Sequence, residues 1–345
     1  MCLCITHFHV LQIITCLCLL ETIFWLNFKI NNKEKMNYLR GLSRSLCSTS
    51  KSNHDILKKY CFPRAQNGLQ SVVADTVKVS VTPTGVATVT LNRPSKLNAF
   101  NMEMWEDLYN VFNGIKHDEK VKVVILNGSN NNFSTGMDLE VFAEMSKLSS
   151  LVKCEGRKRE GIENLIFFFQ DCISAPEITC PVPVIAAISG YCIGGAVDLI
   201  AACDMRYCTN SSNFSIKETD LAMVADIGTL QRLPKLIGDS QTRELAYTSR
   251  IFNGTEAEKL GLALKSFNTD EELMSHVHKL AESIALKSPL TIRGIKKTLL
   301  YSRDHTVNDS LYQVNLHNTA YLYNADLMEA TKAHLTKSKP SFTLP

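Results

Sequence analysis

Three carboxylates set in apolar surroundings, Asp198, Glu218 and Asp226, are the side chains of this chain best suited to acid–base chemistry. They fall within residues 191–226, YCIGGAVDLIAACDMRYCTNSSNFSIKETDLAMVAD. Asp198 follows Gly194-Gly195-Ala196-Val197 and precedes Leu-Ile-Ala-Ala, a pattern that predicts a tight turn opening into a buried helix. A carboxylate there loses its hydration, so it must be hydrogen-bonded, paired, or protonated with a raised pKa. Such positions are enriched in acid–base catalysts. The spacing leaves a structural role equally open, in which Asp198 caps a helix or pairs with Arg206.

The elements that must position these acids can be read around them. Val77, Val79 and Val81 alternate with polar residues, Pro83-Thr84-Gly85 makes a turn, and Val86 to Leu91 forms the second strand of a hairpin. Met102 to Ile115 has helical periodicity, with Trp105, Leu108, Val111 and Phe112 on one side. Val121 to Leu126 then reads as a strand buried on both faces, which makes a right-handed crossover unit. Ser134-Thr135-Gly136 turns into a short helix, and a polar helical stretch runs from about Leu151 to Cys172. A second buried strand, from Pro181 to Ile188, delivers Gly190 to Gly195 to another turn. Two strands thus end in glycine-containing turns that open helices, and their backbone N–H groups can converge on one oxygen.

The chain has 345 residues, 45% hydrophobic and 21% charged, as in ordinary globular enzymes. A formal charge of +3 and the lack of a basic, aromatic-interleaved segment argue against nucleic acid as a partner. The twelve cysteines lack zinc-type spacing; Cys2, Cys4, Cys16 and Cys18 with His7 and His9 are the nearest approach to a cluster, and no metal site is assigned. Cys192, Cys203 and Cys208 read as buried free thiols, which suits a reducing compartment. Residues 10–28 are mostly apolar but interrupted, marginal for a membrane span. From Met36 the chain reads MNYLRGLSRSLCSTSKSNHD, rich in Arg and Ser and free of acids before Asp55, the composition of a mitochondrial transit peptide. Residues 1–35 are therefore expected to be an upstream extension, with a signal anchor as the alternative. Residues 36–70 are expected to be a transit peptide and linker, and no stable membrane insertion of the mature protein is expected. The C-terminal Phe342-Thr343-Leu344-Pro345 is not a Ser-Lys-Leu address, so the expected location is the mitochondrial matrix rather than the peroxisome.

The segments FSTGMDL, GYCIGGAVDL, SIKETDLAMVAD and GTLQRLPKLIG resemble the crotonase (enoyl-CoA hydratase/isomerase) superfamily, and more closely its Δ3,5-Δ2,4-dienoyl-CoA isomerase branch. The resemblance covers about Val77 to Leu335. It implies an α/β fold, a crotonase-like spiral of ββα units over residues 75–265, then a C-terminal helical trimerisation region over 266–336 and a tail at 337–345. A homotrimer or homohexamer is implied, with an acyl-CoA thioester as substrate and no cofactor beyond the CoA the substrate carries.

The resemblance also assigns roles. Met137 and Gly195 become the N–H donors to the thioester oxygen, where an enolate charge develops. Thr135, Gly136, Met137, Asp138 and Leu139 lie along the acyl-CoA with Gly195, and Lys96 and Asn98 lie near its CoA moiety; a solvated surface role is the other reading of Lys96. Hydratases resemble the chain at the first two acid positions but usually carry Glu at both, whereas here the first is Asp198. The aspartate at 226 matches the dienoyl-CoA isomerase branch. Glu218 and Asp226 are then the proton carriers at carbons 2 and 6, in either assignment, with Asp198 as an orienting or pKa-setting neighbour. Ala196 departs from a position often Gly in relatives. The other readings are an enoyl-CoA hydratase or Δ3,Δ2-enoyl-CoA isomerase and, in another class, a non-catalytic binding protein. Arg303, Asp304 and His305 are read as caps past a helix end.

Overall fold

Strand β1 (Val77–Val81) pairs antiparallel with β2 (Val86–Leu91) at the start of the chain as this computed structural model describes it, which comprises Leu69 and residues 74–342. The expected extension, transit peptide and cysteine–histidine group lie outside the described residues. After β2 come α1 (Met102–Lys116), β3 (Val123–Gly128), α2 (Leu139–Leu151), α3 (Glu155–Ser174), β4 (Val184–Ile188) and β5 (Tyr191–Ile193). The chain continues through α4 (Gly195–Ala201), β6 (Met205–Thr209), β7 (Asn213–Ser215), α5 (Thr229–Ile237), α6 (Asp239–Thr248), β8 (Phe252–Asn253), α7 (Gly254–Leu260) and β9 (Lys265–Phe267). Four helices close it: α8 (Asp270–Ala285), α9 (Pro289–Tyr301), α10 (Val307–Tyr321) and α11 (Ala325–Thr336).

The main sheet has the order β1-β2-β3-β4-β6-β9 and is parallel from β2 onward. Its central strands alternate between two cores, because successive side chains of a strand point to opposite faces. Val124, Leu126, Val184 and Ala186 face a core shared with Trp105, Leu108 and Phe112 of α1. Val123, Ile125 and Ile185 face Leu273, Val277 and Ala281 of α8. The sequence reading grouped α8 with the C-terminal helices; it covers the second face of this sheet. Its start is set by Thr269, whose side chain accepts the Glu272 N–H, with three acids in the first turn against the helix dipole.

A smaller sheet runs β5-β7-β8, and single bridges of Ser134 to Cys192 and of Phe100 to Met137 extend it across successive turns of the chain. Each turn of the spiral therefore adds one strand to the main sheet and one short extended segment to this second layer. The site residues sit where the second layer runs into helix N-termini.

Lys296 ties α9 to this body. It is buried, and its ammonium donates to the Pro176 and Val182 carbonyls and to Asp204 at 2.6, 2.8 and 2.8 Å. Beyond that anchor α9 to α11 expose Leu299, Leu311, Tyr312, Leu316 and Met328. Among the described residues, no helix is long and apolar enough to cross a membrane.

Candidate active site

The first corner is built by the loops on either side of α1. Asn98, wholly buried at φ +56°, accepts from the Arg93 N–H and the Ser129 hydroxyl and donates to the carbonyls of Asn132 and Ser129. Its side chain is thereby used to pin the 93–99 loop to the 129–134 loop. Lys96 is exposed and reaches Glu140 at 3.4 Å. Asp138 is engaged by Arg93 at 3.0 Å. Burial works against its ionisation, but the Arg93 hydrogen bond prevails and holds the carboxyl below its ordinary range. Thr135 is half-buried and Leu139 exposed.

Phe100 donates its N–H to the Gly136 carbonyl and accepts from the Asp138 N–H, at 2.7 and 3.0 Å. Peptide groups alternate sides along an extended chain, so the Met137 N–H points the other way, away from Phe100. Gly136 is required here on two counts. Its φ is +80°, and a Cβ would stand 2.4 Å from the Ile193 carbonyl oxygen and 3.2 Å from the Gly195 nitrogen. The first corner thus runs directly against the second.

At the second corner β5 is followed by Gly194, with φ +53°, and α4 begins at Gly195. No side chain caps this helix, so its first N–H groups, that of Gly195 included, lack an intrahelical partner. Remote helices differ: α1 and α11 are closed by the side chains of Asn101 and Asn324. Ile227, Phe100 and Trp105 approach Gly195 at ordinary contact distance from where a Cβ would stand, and they wall the corner with apolar surface.

Glu218 opens the short 3-10 turn after β7 and lies against Gly194, where a Cβ would be 3.2 Å from its Oε1. Its Oε2 is buried without a hydrogen-bond partner. Desolvation raises its pKa, with the nearby Asp226 charge adding to the effect while backbone N–H groups of residues 217 and 218 oppose it. Asp226 has an exposed side chain, and desolvation by the surrounding walls raises its pKa as well.

Asp198 is fully buried in α4. Its Oδ1 accepts the N–H of Thr229, the first residue of α5, a helix whose Gly228 N-cap supplies no side-chain bond. Asp198 thus caps the following helix instead of its own. The alternative of a pair with Arg206 is overturned: that guanidinium donates to the carbonyls of Leu262, Ile200 and Cys203. Asp198 Oδ2 has no partner, and desolvation, followed by repulsion from Glu218, raises the pKa to about 7.

Asp226 opens onto a cleft of about 710 Å³ lined also by Gln170, Glu177, Ile227, Arg232 and Arg303. Of the three acids only Asp226 lines it. Buried Glu177 pairs with both Arg232 and Arg303. Arg303, expected as a helix cap, is therefore an ion-pair partner across the cleft. His305 does cap α9, through the Tyr301 carbonyl at 2.8 Å, and its ring stacks on Tyr301. Sequence reasoning misses Thr229, Glu177 and Arg232. A clue was available in the spacing, since Arg232 lies one helical turn after Gly228 and a buried acid needs a countercharge. Cys192, Cys203 and Cys208 are buried free thiols, as expected.

Residues 82–344 match the family described as enoyl-CoA hydratase/isomerase. A peroxisomal Δ3,5-Δ2,4-dienoyl-CoA isomerase of Arabidopsis thaliana is 44% identical over 261 residues, 76% of this chain and 94% of the relative. The human mitochondrial protein of the same name is 38% identical over 266 residues, 75% of this chain and 79% of its own length. Among solved structures, an enoyl-CoA hydratase of Bacillus anthracis superposes with a TM-score of 0.70 at 28% identity, covering 78% of this chain and 99% of the other.

Proposed function

The chain belongs to the enoyl-CoA hydratase/isomerase family, and from that premise we propose that it isomerises 3,5-dienoyl-CoA to 2,4-dienoyl-CoA in fatty-acid β-oxidation. One observation carries the choice within the family. Asp198 is sealed in the core with an oxygen committed to the Thr229 N–H, which supports Glu218, with a buried and unpartnered Oε2, and Asp226 as the carboxyl pair that serves the ligand. A hydratase built on the first two acid positions would need Asp198 at the substrate.

In this mechanism the Met137 and Gly195 N–H groups hold the thioester oxygen, and the free N-terminus of α4 favours negative charge there. Glu218 takes the proton from carbon 2. The electron pair moves onto the thioester oxygen as a conjugated dienolate, and Asp226 returns a proton at carbon 6 as the pair flows back along the chain. Only protons and electron pairs move, so the reaction calls for no metal or redox group. Raised pKa values suit both acids to exchange protons near neutrality. The same raised values weigh against a binding protein that has lost its chemistry.

Asp226→Asn tests the reading, with 3,5-dienoyl-CoA as substrate and the conjugated-diene absorbance as signal. Turnover should fall about 10²- to 10⁴-fold with little change in substrate affinity. A variant that isomerises at the wild-type rate would reduce Asp226 to a surface carboxylate.

The Arg- and Ser-rich segment after Met36 supports a mitochondrial matrix location, although the names of the relatives divide between mitochondria and peroxisomes. Exposed apolar side chains on α9 to α11 support assembly into trimers or hexamers.

A further inference from the structure

The geometry points to Arg232 as a positioning residue that holds the charge state of Asp198 through the Gly228–Thr229 corner, an inference that rests on the reading above of Glu218, the neighbour of Asp198, as one of the two proton carriers. The guanidinium is nearly buried and held on two sides, its Nε on Glu177 Oε2 and one terminal nitrogen on the Ser174 hydroxyl, both at 2.8 Å. The other terminal nitrogen lies against Gly228 so closely that a Cβ would stand 1.8 Å from it. Gly228 at φ +137° therefore opens the space that lets the cation reach the corner whose next amide binds Asp198.

The charge balance makes this position effective. Glu177 is one carboxylate shared by two guanidiniums, Arg232 and Arg303, so the group keeps a net positive charge. The titratable groups that act electrostatically with Asp198 from the elements packed around α4 include Glu218 after β7, the Cys192 thiol of β5 and Arg232 of α5. Glu218 disfavours the Asp198 carboxylate; the Thr229 hydrogen bonds oppose it first, and Arg232 is the cation that adds to them. Asp171 of α3 is shifted by its own desolvation. Arg232 touches no reacting atom; it acts through Asp198 on the ionisation of Glu218.

The test is a titration of the full-length enzyme without substrate, following the Asp198 carboxyl by 13C NMR with Asp198→Asn as the assignment control, beside the pH–rate profile of isomerisation. Arg232→Gln should move the Asp198 titration upward and, because an Asp198 that keeps its proton repels Glu218 less, move the Glu218 inflection of kcat downward, while KM stays close to wild type. Arg232→Lys should restore most of the shift. Glu177→Gln keeps an acceptor for Nε but removes the countercharge, so the titration should move downward. A folded Arg232→Gln protein whose Asp198 titration is unmoved overturns the inference. If Arg232→Gln does not fold, Glu177→Gln decides, a downward shift supporting the inference and no shift overturning it. Absence of isomerase activity in the wild type would count against the proposed reaction alone, because the substrate-free titration still judges Arg232.

Discussion

Replacing Asp198 with Asn should stabilise the folded protein at pH 8 while impairing the enzyme. Burial and Glu218 raise the folded-state pKa from its ordinary 3.8 to about 7. An acid with a raised folded pKa binds its proton more tightly folded than unfolded. Between the two values the unfolded chain has lost the proton and the folded one retains it, so stability falls as pH rises through that window and levels off above about 7. A shift of about three pH units, at about 1.4 kcal/mol each, amounts to about 4 kcal/mol of strain carried at pH 8. About 2.5 kcal/mol of it should develop between pH 5 and pH 8. Asn keeps the acceptor for the Thr229 N–H and cannot ionise, so the variant should be free of this slope. Urea unfolding of both proteins at pH 5, 6, 7 and 8 measures it, at matched protein concentration because assembly also contributes to stability. A wild-type stability that is flat or rising across that range, or an Asn variant equally destabilised at pH 5 and 8, would refute the account.

Gly136→Ala must twist out of φ +80° and push a methyl group into the Ile193 carbonyl; a loss of about 2 kcal/mol or more and of about 10²-fold or more in kcat is expected by thermal unfolding and the diene assay, and wild-type kcat would show that the two corners need not touch. A fluorescent fusion starting at Met36 should enter mitochondria and one lacking residues 36–65 should not, with persistent import of the shortened form counting against the transit segment. Light scattering at micromolar concentration should give a multiple of three subunits, and a stable monomer would leave the apolar faces of α9 to α11 without their proposed cover.

Much of the site was legible in sequence because its logic is local. A glycine at the end of a buried strand, followed by an uncapped apolar helix with an acid one turn in, predicts a corner of free N–H groups beside a desolvated carboxylate. Asp198, Glu218 and Asp226 were visible as acids misplaced for packing, and the hairpin bounds followed from alternation and the Pro-Thr-Gly turn. The sequence predicts a short helix after Gly136, whereas the helix runs from Leu139 to Leu151, since propensity gives no end to a stretch without a Gly or Pro stop.

The sequence by itself determined which side chains were available: three acids, two glycine corners and strands hydrophobic enough to be covered on both faces. Only the tertiary structure decided how they are used. Asp198 is spent on a helix 31 residues away, Asn98 is turned inward between two loops, and Glu177 joins Arg232 to Arg303 across segments far apart in the chain. A carboxylate's partner and ionisation depend on which charges and walls surround it in space, and those come from elements that the spiral brings together only after it has closed.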